Sequence, residues 1–124
     1  MNKHLLIALV LATSACATGA DQKKIRTEIN AKLTAAQTPI QACFQNSLYT
    51  NRKLRGMYVM QMAINAETGE FGEINLRRDE PQDPVLRFCV VSILAKLKLD
   101  KPPGERIELE SVPIKFEWSN PGSP

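Results

Sequence analysis

Cysteine has the widest chemical range of the residue types in this sequence, and it occurs three times, at Cys16, Cys43 and Cys89. None of these positions forms a Cys-x-x-Cys pair, so the spacing indicates neither a zinc knuckle nor a thioredoxin-type redox site. The only histidine, His4, lies in a segment that we expect export to remove. The processed chain would therefore lack Ser-His-Asp catalysis, Cys-His catalysis and any histidine-containing zinc site.

Carboxylates are the other candidates for chemistry. One stretch of the chain holds Glu67, Glu70, Glu73, Asp79, Glu80 and Asp83. General acid-base catalysis needs two such groups in a cleft with separated pKa values, whereas this stretch is turn-like, and acidic residues in turns are commonly solvated. Pro81 and the missing glycine also argue against an EF-hand. We therefore predict no catalytic residue, no metal ligand and no cofactor.

The first 16 residues are typical of a secretory signal peptide. Lys3 is followed by an apolar run at residues 5–12 and then by small residues up to Ala17. As a helix that run rises only about 12 Å, against roughly 30 Å of hydrocarbon, so it is too short to remain as a membrane anchor. The sequence predicts an exported bacterial protein on the periplasmic side of the envelope.

Cys16 lies where a lipoprotein signal places its acylated cysteine. Residues 11–16 resemble a lipobox, with Thr13 where leucine is usual, and the residues after Cys16 lack the aspartate that can retain lipoproteins at the inner membrane. This predicts an N-terminal lipid anchor, with the outer membrane favoured. The alternative is ordinary signal peptidase cleavage after Ala17.

If Cys16 carries lipid, Cys43 and Cys89 are left to form a disulfide in an oxidising compartment. Closing that loop would stabilise the fold by about 4 kcal/mol on the chain-entropy estimate. In the alternative, both are reduced and act as small buried hydrophobes.

Length and charge limit the remaining possibilities. The net charge is +3 and the basic residues are scattered, so we predict no nucleic-acid binding. The processed chain has room for one domain. We assign residues 17–24 to a short tether, residues 25–118 to the domain and residues 119–124 to a flexible tail.

Apolar periodicity predicts two successive helices at the start of the domain. Ile25, Ile29 and Leu33 form a single stripe from Asp21 onward, and Thr38 with Pro39 has the form of an N-cap and first helical residue, so a second helix is expected there. Its inward face would be Ile40, Cys43, Phe44 and Leu48.

From Met57 the period changes to two, which predicts a strand. Its apolar face would be Tyr58, Met60, Met62 and Ile64. A turn at residues 67–70 and a second strand from Phe71 to near Arg77 complete a hairpin. A further helix is expected from Asp83 and Pro84 to near Lys98, with Cys89 facing inward.

In the last strand the apolar residues occupy odd-numbered positions at Ile107 and Leu109 and even-numbered positions from Val112 to Trp118. This change of parity predicts a bulge, and Pro113, which lacks an N–H, predicts an edge position. The expected fold is α+β, in the order α-α-β-β-α-β, with a three-stranded antiparallel-type sheet covered by helices on one face.

This order and several residues resemble the C-terminal domain shared by the AgmX and PglI proteins, which is similar to the TonB C-terminal domain. The resemblance runs from about Ile25 to Trp118, and the two inward cysteines are its most specific part. The chain departs from the pattern at residues 98–102 and at Gly104. The matching residues are Ile40, Cys43, Phe44, Leu48, Leu54, Gly56, Ile64, Glu67 to Gly69, Ile74, Asp83, Pro84, Cys89 and Pro113 to Phe116.

The resemblance implies a non-enzymatic interaction module for envelope proteins, with no small-molecule substrate. An extended peptide from a partner would add to the sheet edge, and the module would be an adaptor or assembly component of motility, secretion or transport machinery. The alternatives are a small periplasmic inhibitor or chaperone-like factor, and an enzyme with an unrecognised carboxylate site. The candidate edge residues are Glu108, Leu109, Glu110, Ser111, Val112, Pro113, Ile114, Lys115 and Phe116.

Overall fold

A computed structural model of the chain describes the backbone of residues 18–116 and the side chains of residues 21–116. The element order is α1 (Thr18–Thr50), β1 (Gly56–Ile64), β2 (Phe71–Asp79), α2 (Pro84–Leu94) and β3 (Ile107–Phe116). The three strands form one antiparallel sheet in the order β2-β1-β3. The fold is α+β, as predicted. Cys16 and Trp118 lie outside the described residues, as do the predicted signal peptide and tail.

The prediction of two helices before the sheet is wrong. One helix of 33 residues includes Pro39, and it begins at Thr18, so it also takes in most of the predicted tether. A proline inside a helix costs about 3 kcal/mol. Buried side chains on both sides of it, among them Ile29, Ala36 and Ile40, hold the helix against the core. Each large apolar side chain buried contributes roughly 1.5–3 kcal/mol, so packing outweighs the proline.

The core lies between the helices and one face of the sheet. The predicted inner face of β1 is confirmed, since Tyr58, Met60, Met62 and Ile64 are each at most 1% exposed. Phe116 of β3 joins this core, where its ring stacks on Phe44 of α1 at a centroid distance of 5.0 Å. The other face of the sheet, which carries Met57 and Val59, is called the outer face below. None of the described helices packs on it.

The predicted hairpin of β1 and β2 is confirmed, with β2 extending to Asp79. In the turn, the Asn65 side chain accepts hydrogen bonds from the backbone N–H groups of Glu67 and Thr68. The pairing of β1 with β2 shifts register twice, and each shift places one extra residue in β2. One shift includes Glu73, whose φ is 50°, and the other lies at Arg77. β2 is therefore bulged at two places.

The predicted start of α2 is confirmed. Asp83 is its N-cap, with the carboxylate accepting from Leu86 N at 2.8 Å, and Pro84 follows. The helix ends at Leu94 rather than near Lys98, because the next residues bind the sheet instead. Leu97 O accepts from Phe71 N at 3.0 Å, and Leu99 is buried.

The predicted edge position of β3 and its predicted bulge are confirmed. It pairs with β1 alone, so it is an edge strand. Met60 lies opposite Val112 and Met62 opposite Leu109, so β3 holds one extra residue between these pairs, at the predicted bulge. Within the part of the chain that the structure describes, no helix is both long and apolar enough to cross a membrane.

Candidate partner-binding edge and its groove

The two inward cysteines form a disulfide that joins α1 to α2. Cys43 is 3% exposed and Cys89 is half-buried. The S–S distance is 2.01 Å and the Cα–Cα distance is 5.9 Å, which is within the usual range. The bridge fixes the C-terminal third of α1 relative to α2.

The backbone N–H and C=O groups of β1 point alternately toward β2 and toward β3. This alternation determines which N–H and C=O groups of β3 point away from the sheet. Met57 directs both of its groups toward the β2 side, since its C=O accepts from Glu80 N at 3.2 Å and its N–H donates to Glu80 Oε1 at 3.0 Å. Asn65 does the same, donating to Glu70 O. Because backbone direction alternates along a strand, the even-numbered residues of β1 direct their groups toward β3.

The second half of the β3 edge offers few groups to a partner strand. Pro113 and Lys115 lie opposite Val59 and Met57, which face β2, so their own backbone groups face outward. Pro113 has no N–H to offer, and Lys115 O accepts from Gln41 Nε2 of α1 at 3.2 Å. The bulge lies immediately before this segment.

The first half of the edge is arranged differently. Ile107 and Leu109 lie opposite Ile64 and Met62 and direct their backbone groups toward β1. Glu108, between them, therefore directs its N–H and its C=O outward. This is the part of the edge where both a donor and an acceptor face away from the sheet.

A groove of about 610 Å³ runs beside this first half, between the N-terminal part of α1 and the chain that leads into β3. Ile25, Ile29 and Ile107 supply its apolar surface, while Asp21, Arg26 and Glu105 supply charges. The full lining is Asp21, Gln22, Ile25, Arg26, Ile29, Pro103, Gly104, Glu105, Arg106, Ile107 and Glu108.

Arg106, which lines the groove, joins two carboxylates of the sheet. It forms ion pairs with Glu73 of β2 and with Glu108 of β3. Hydrogen bonds first to Glu73 and then to Glu108 raise the pKa of Arg106 above its usual value. The Glu108 side chain is therefore engaged with Arg106, while its backbone groups face outward.

Most of the clustered acidic residues have structural roles. Asp79 pairs with Arg87 at 2.7 Å, Glu80 binds Arg78 and Met57 N, and Asp83 caps α2. The other three differ in setting, since Glu73 pairs with Arg106, whereas Glu67 and Glu70 are exposed in the hairpin turn. Among the described residues no three histidine, cysteine or acidic side chains are grouped to hold a metal ion.

The sequence predicts both the edge strand and a helix at Ile25 and Ile29, but it does not predict that this helix borders the strand. Gln41 contacts Lys115 across 74 positions, and Ile25 reaches the groove from α1. The apolar pattern at Ile25 and Ile29 predicts which face of the helix is buried. It does not predict which strand lies beside that face.

Compared with known proteins, the chain matches no protein-family model, no curated protein and no solved structure.

Proposed function

We propose that the protein is a non-enzymatic interaction module of the bacterial envelope, acting as a membrane-tethered adaptor or assembly component on the periplasmic side. The observation that carries this proposal is the outward-facing backbone of Glu108 beside the groove of α1. The disulfide is compatible with an oxidising compartment. Cys16 is the proposed site of the lipid tether.

The proposed partner element is an extended peptide that adds to the first half of β3. Its backbone would exchange hydrogen bonds with the N–H and C=O of Glu108, and one apolar side chain would enter the groove against Ile25 and Ile29. Main-chain bonds would supply affinity, and the groove would supply selectivity. The proposed binding site is therefore the beginning of the candidate edge of residues 108–116, around Glu108.

The test separates the backbone of Glu108 from its side chain. Glu108→Pro removes the outward N–H but no hydrogen bond to β1, whereas the control Glu108→Ala removes the carboxylate and keeps the N–H. Each variant is crosslinked in intact cells and purified from native membranes, and circular dichroism confirms that it is folded. We expect a stoichiometric envelope partner with wild type and Glu108→Ala, and its loss with Glu108→Pro.

Other outcomes have clear meanings. Equal recovery with both variants would exclude the edge as the binding site. Recovery of a hydrolase bound through its active site would favour the inhibitor instead. Intact mass of the native protein tests the tether, since an unmodified chain beginning at Ala17 would exclude acylation of Cys16.

A further inference from the structure

Six exposed basic residues lie at the end of the molecule where β1 begins, and we call them the basic end. They come from the loop between α1 and β1, from the last residues of β2 and from the end of β3. They are Arg52, Lys53, Arg55, Arg77, Arg78 and Lys115. The sequence alone shows Arg52, Lys53 and Arg55 as one cluster and Arg77 with Arg78 as another, and the sheet brings both clusters and Lys115 to the same end.

The bulge in β2 places two consecutive arginines on the outer face. Arg78 lies opposite Val59 on that face, and Arg77 is the extra residue of the bulge. The Arg77 guanidinium donates from Nε and Nη2 to Gln61 Oε1, at 3.1 and 3.0 Å, so it also lies across the outer face. In a regular strand one of two adjacent side chains would point into the core.

Among the described residues, the acidic side chains at this end are fewer than the basic ones. Asp79 pairs with Arg87, Glu80 pairs with Arg78, and Asp83 caps α2. Within described residues 51–58, 77–87 and 113–116, seven basic residues accompany these three acidic ones. Arg52, Lys53 and Arg55 form no ion pair with any described residue. Within the part of the chain that the structure describes, positive charge is therefore concentrated at this end.

Apolar side chains lie between the cations. Met57 and Val59 are half-buried on the outer face, and Pro113 is exposed opposite Val59. Arg78 and Lys115 flank them from the two edge strands, about 12 Å apart, because they lie two strand spacings across the sheet and two residues along it. Cations thus surround an apolar strip on a sheet face that no described helix covers.

From this arrangement we propose that the basic end docks on an anionic phospholipid membrane surface. The cations are spread over a sheet face and a loop, which matches a plane of phosphates better than a single bound anion. Each Lys or Arg near such a surface strengthens binding by about fivefold. Met57, Val59 and Pro113 would contact the interfacial region between the headgroups. The proposal does not depend on the groove, which lies at the other end of β3.

The test measures cosedimentation of the exported chain with phosphatidylglycerol-containing vesicles, and with phosphatidylcholine vesicles for comparison. The chain carries Cys16→Ser so that no acyl group contributes. One variant combines Arg52→Glu with Lys53→Glu, and a second combines Arg77→Glu with Arg78→Glu. The control is Lys23→Glu with Lys24→Glu, an equal change of charge on an exposed part of α1.

We expect binding to the anionic vesicles that weakens with salt, and little binding to phosphatidylcholine. Both basic-end variants should weaken binding by more than about tenfold, and the control by less than about threefold. Equal loss in all three variants would show that only net charge matters and would overturn the proposal. It would also be overturned by equal binding to both vesicle types, by no binding, or by inorganic phosphate competing as well as the vesicles do.

Discussion

The ring of Tyr58 meets the ring of Phe116 edge-on, with centroids 5.1 Å apart, and Tyr58 is fully buried. Its hydroxyl oxygen is also buried and has no hydrogen-bond partner among the described residues. The central strand therefore carries a polar atom that folding removes from water without giving it a partner among the described residues.

Replacing that hydroxyl should not destabilise the protein. An unpartnered buried polar group costs about 1–3 kcal/mol, so Tyr58→Phe should leave stability unchanged or raise it by about 1 kcal/mol. Urea denaturation followed by circular dichroism measures the difference. The matched control is Tyr49→Phe, at a tyrosine that is 85% exposed, where little change is expected. A loss of 1 kcal/mol or more in Tyr58→Phe would mean that the hydroxyl has a stabilising contact.

Tyr58 should also make stability fall at alkaline pH. Burial first, and then the nearby negative charge of Asp79, raises the pKa of Tyr58 well above its usual value. The unfolded chain loses this proton near pH 10, while the folded chain keeps it. The protonated Tyr58 phenol therefore contributes its full share to the free energy of unfolding below about pH 10. As pH rises further, that contribution is lost at up to about 1.4 kcal/mol per pH unit.

The measurement is the free energy of unfolding of wild type and Tyr58→Phe between neutral pH and the highest pH at which the protein remains folded. The wild type should lose stability relative to the variant above pH 10. Parallel curves would show that the phenol ionises equally in both states.

Removing the disulfide should weaken the contact between the two helices. The double variant Cys43→Ala with Cys89→Ala should lose about 2–4 kcal/mol of stability. Reducing agent should lower the wild-type melting temperature and leave that of the double variant unchanged. A wild-type melting temperature that does not respond to reductant would show that the bridge is absent from the purified protein.

Gly56 is predicted to tolerate no side chain. Its φ is 116°, and a Cβ there would lie 2.5 Å from the Cβ of Glu80. Backbone strain and overpacking each cost about 1–3 kcal/mol, so Gly56→Ala should lose roughly 2–6 kcal/mol. The control is Gly72→Ala in β2, where no atom lies within 4 Å of the added carbon. Similar losses in both variants would contradict the steric explanation.

The sequence predicted those features that a local pattern encodes. Alternation from Tyr58 to Ile64 identified the buried face of β1, and the parity change before Val112 identified the bulge of β3. Asp83 with Pro84 marked a helix start because capping depends on adjacent residues.

Features that depend on contacts between residues far apart in the sequence could not be predicted from local patterns. Thr38 with Pro39 predicts a helix start, but α1 runs through Pro39 because side chains on both sides of it are buried in the core. The end of α2 is set by the bonding of residues 97–99 to the sheet. The groove and the basic end arise from segments far apart in the chain, which no local periodicity brings together.

The irregular edges of this sheet limit what it can recruit. β2 has two bulges, and the outer side of β3 is interrupted by a bulge and Pro113. Such edges protect a protein against indiscriminate strand pairing with its neighbours. Only a few backbone groups near Glu108 can pair with another strand. The proposed peptide would therefore form few main-chain hydrogen bonds and dissociate quickly. A second copy of the chain meets the same interruptions, so the sheet edges do not favour polymerisation.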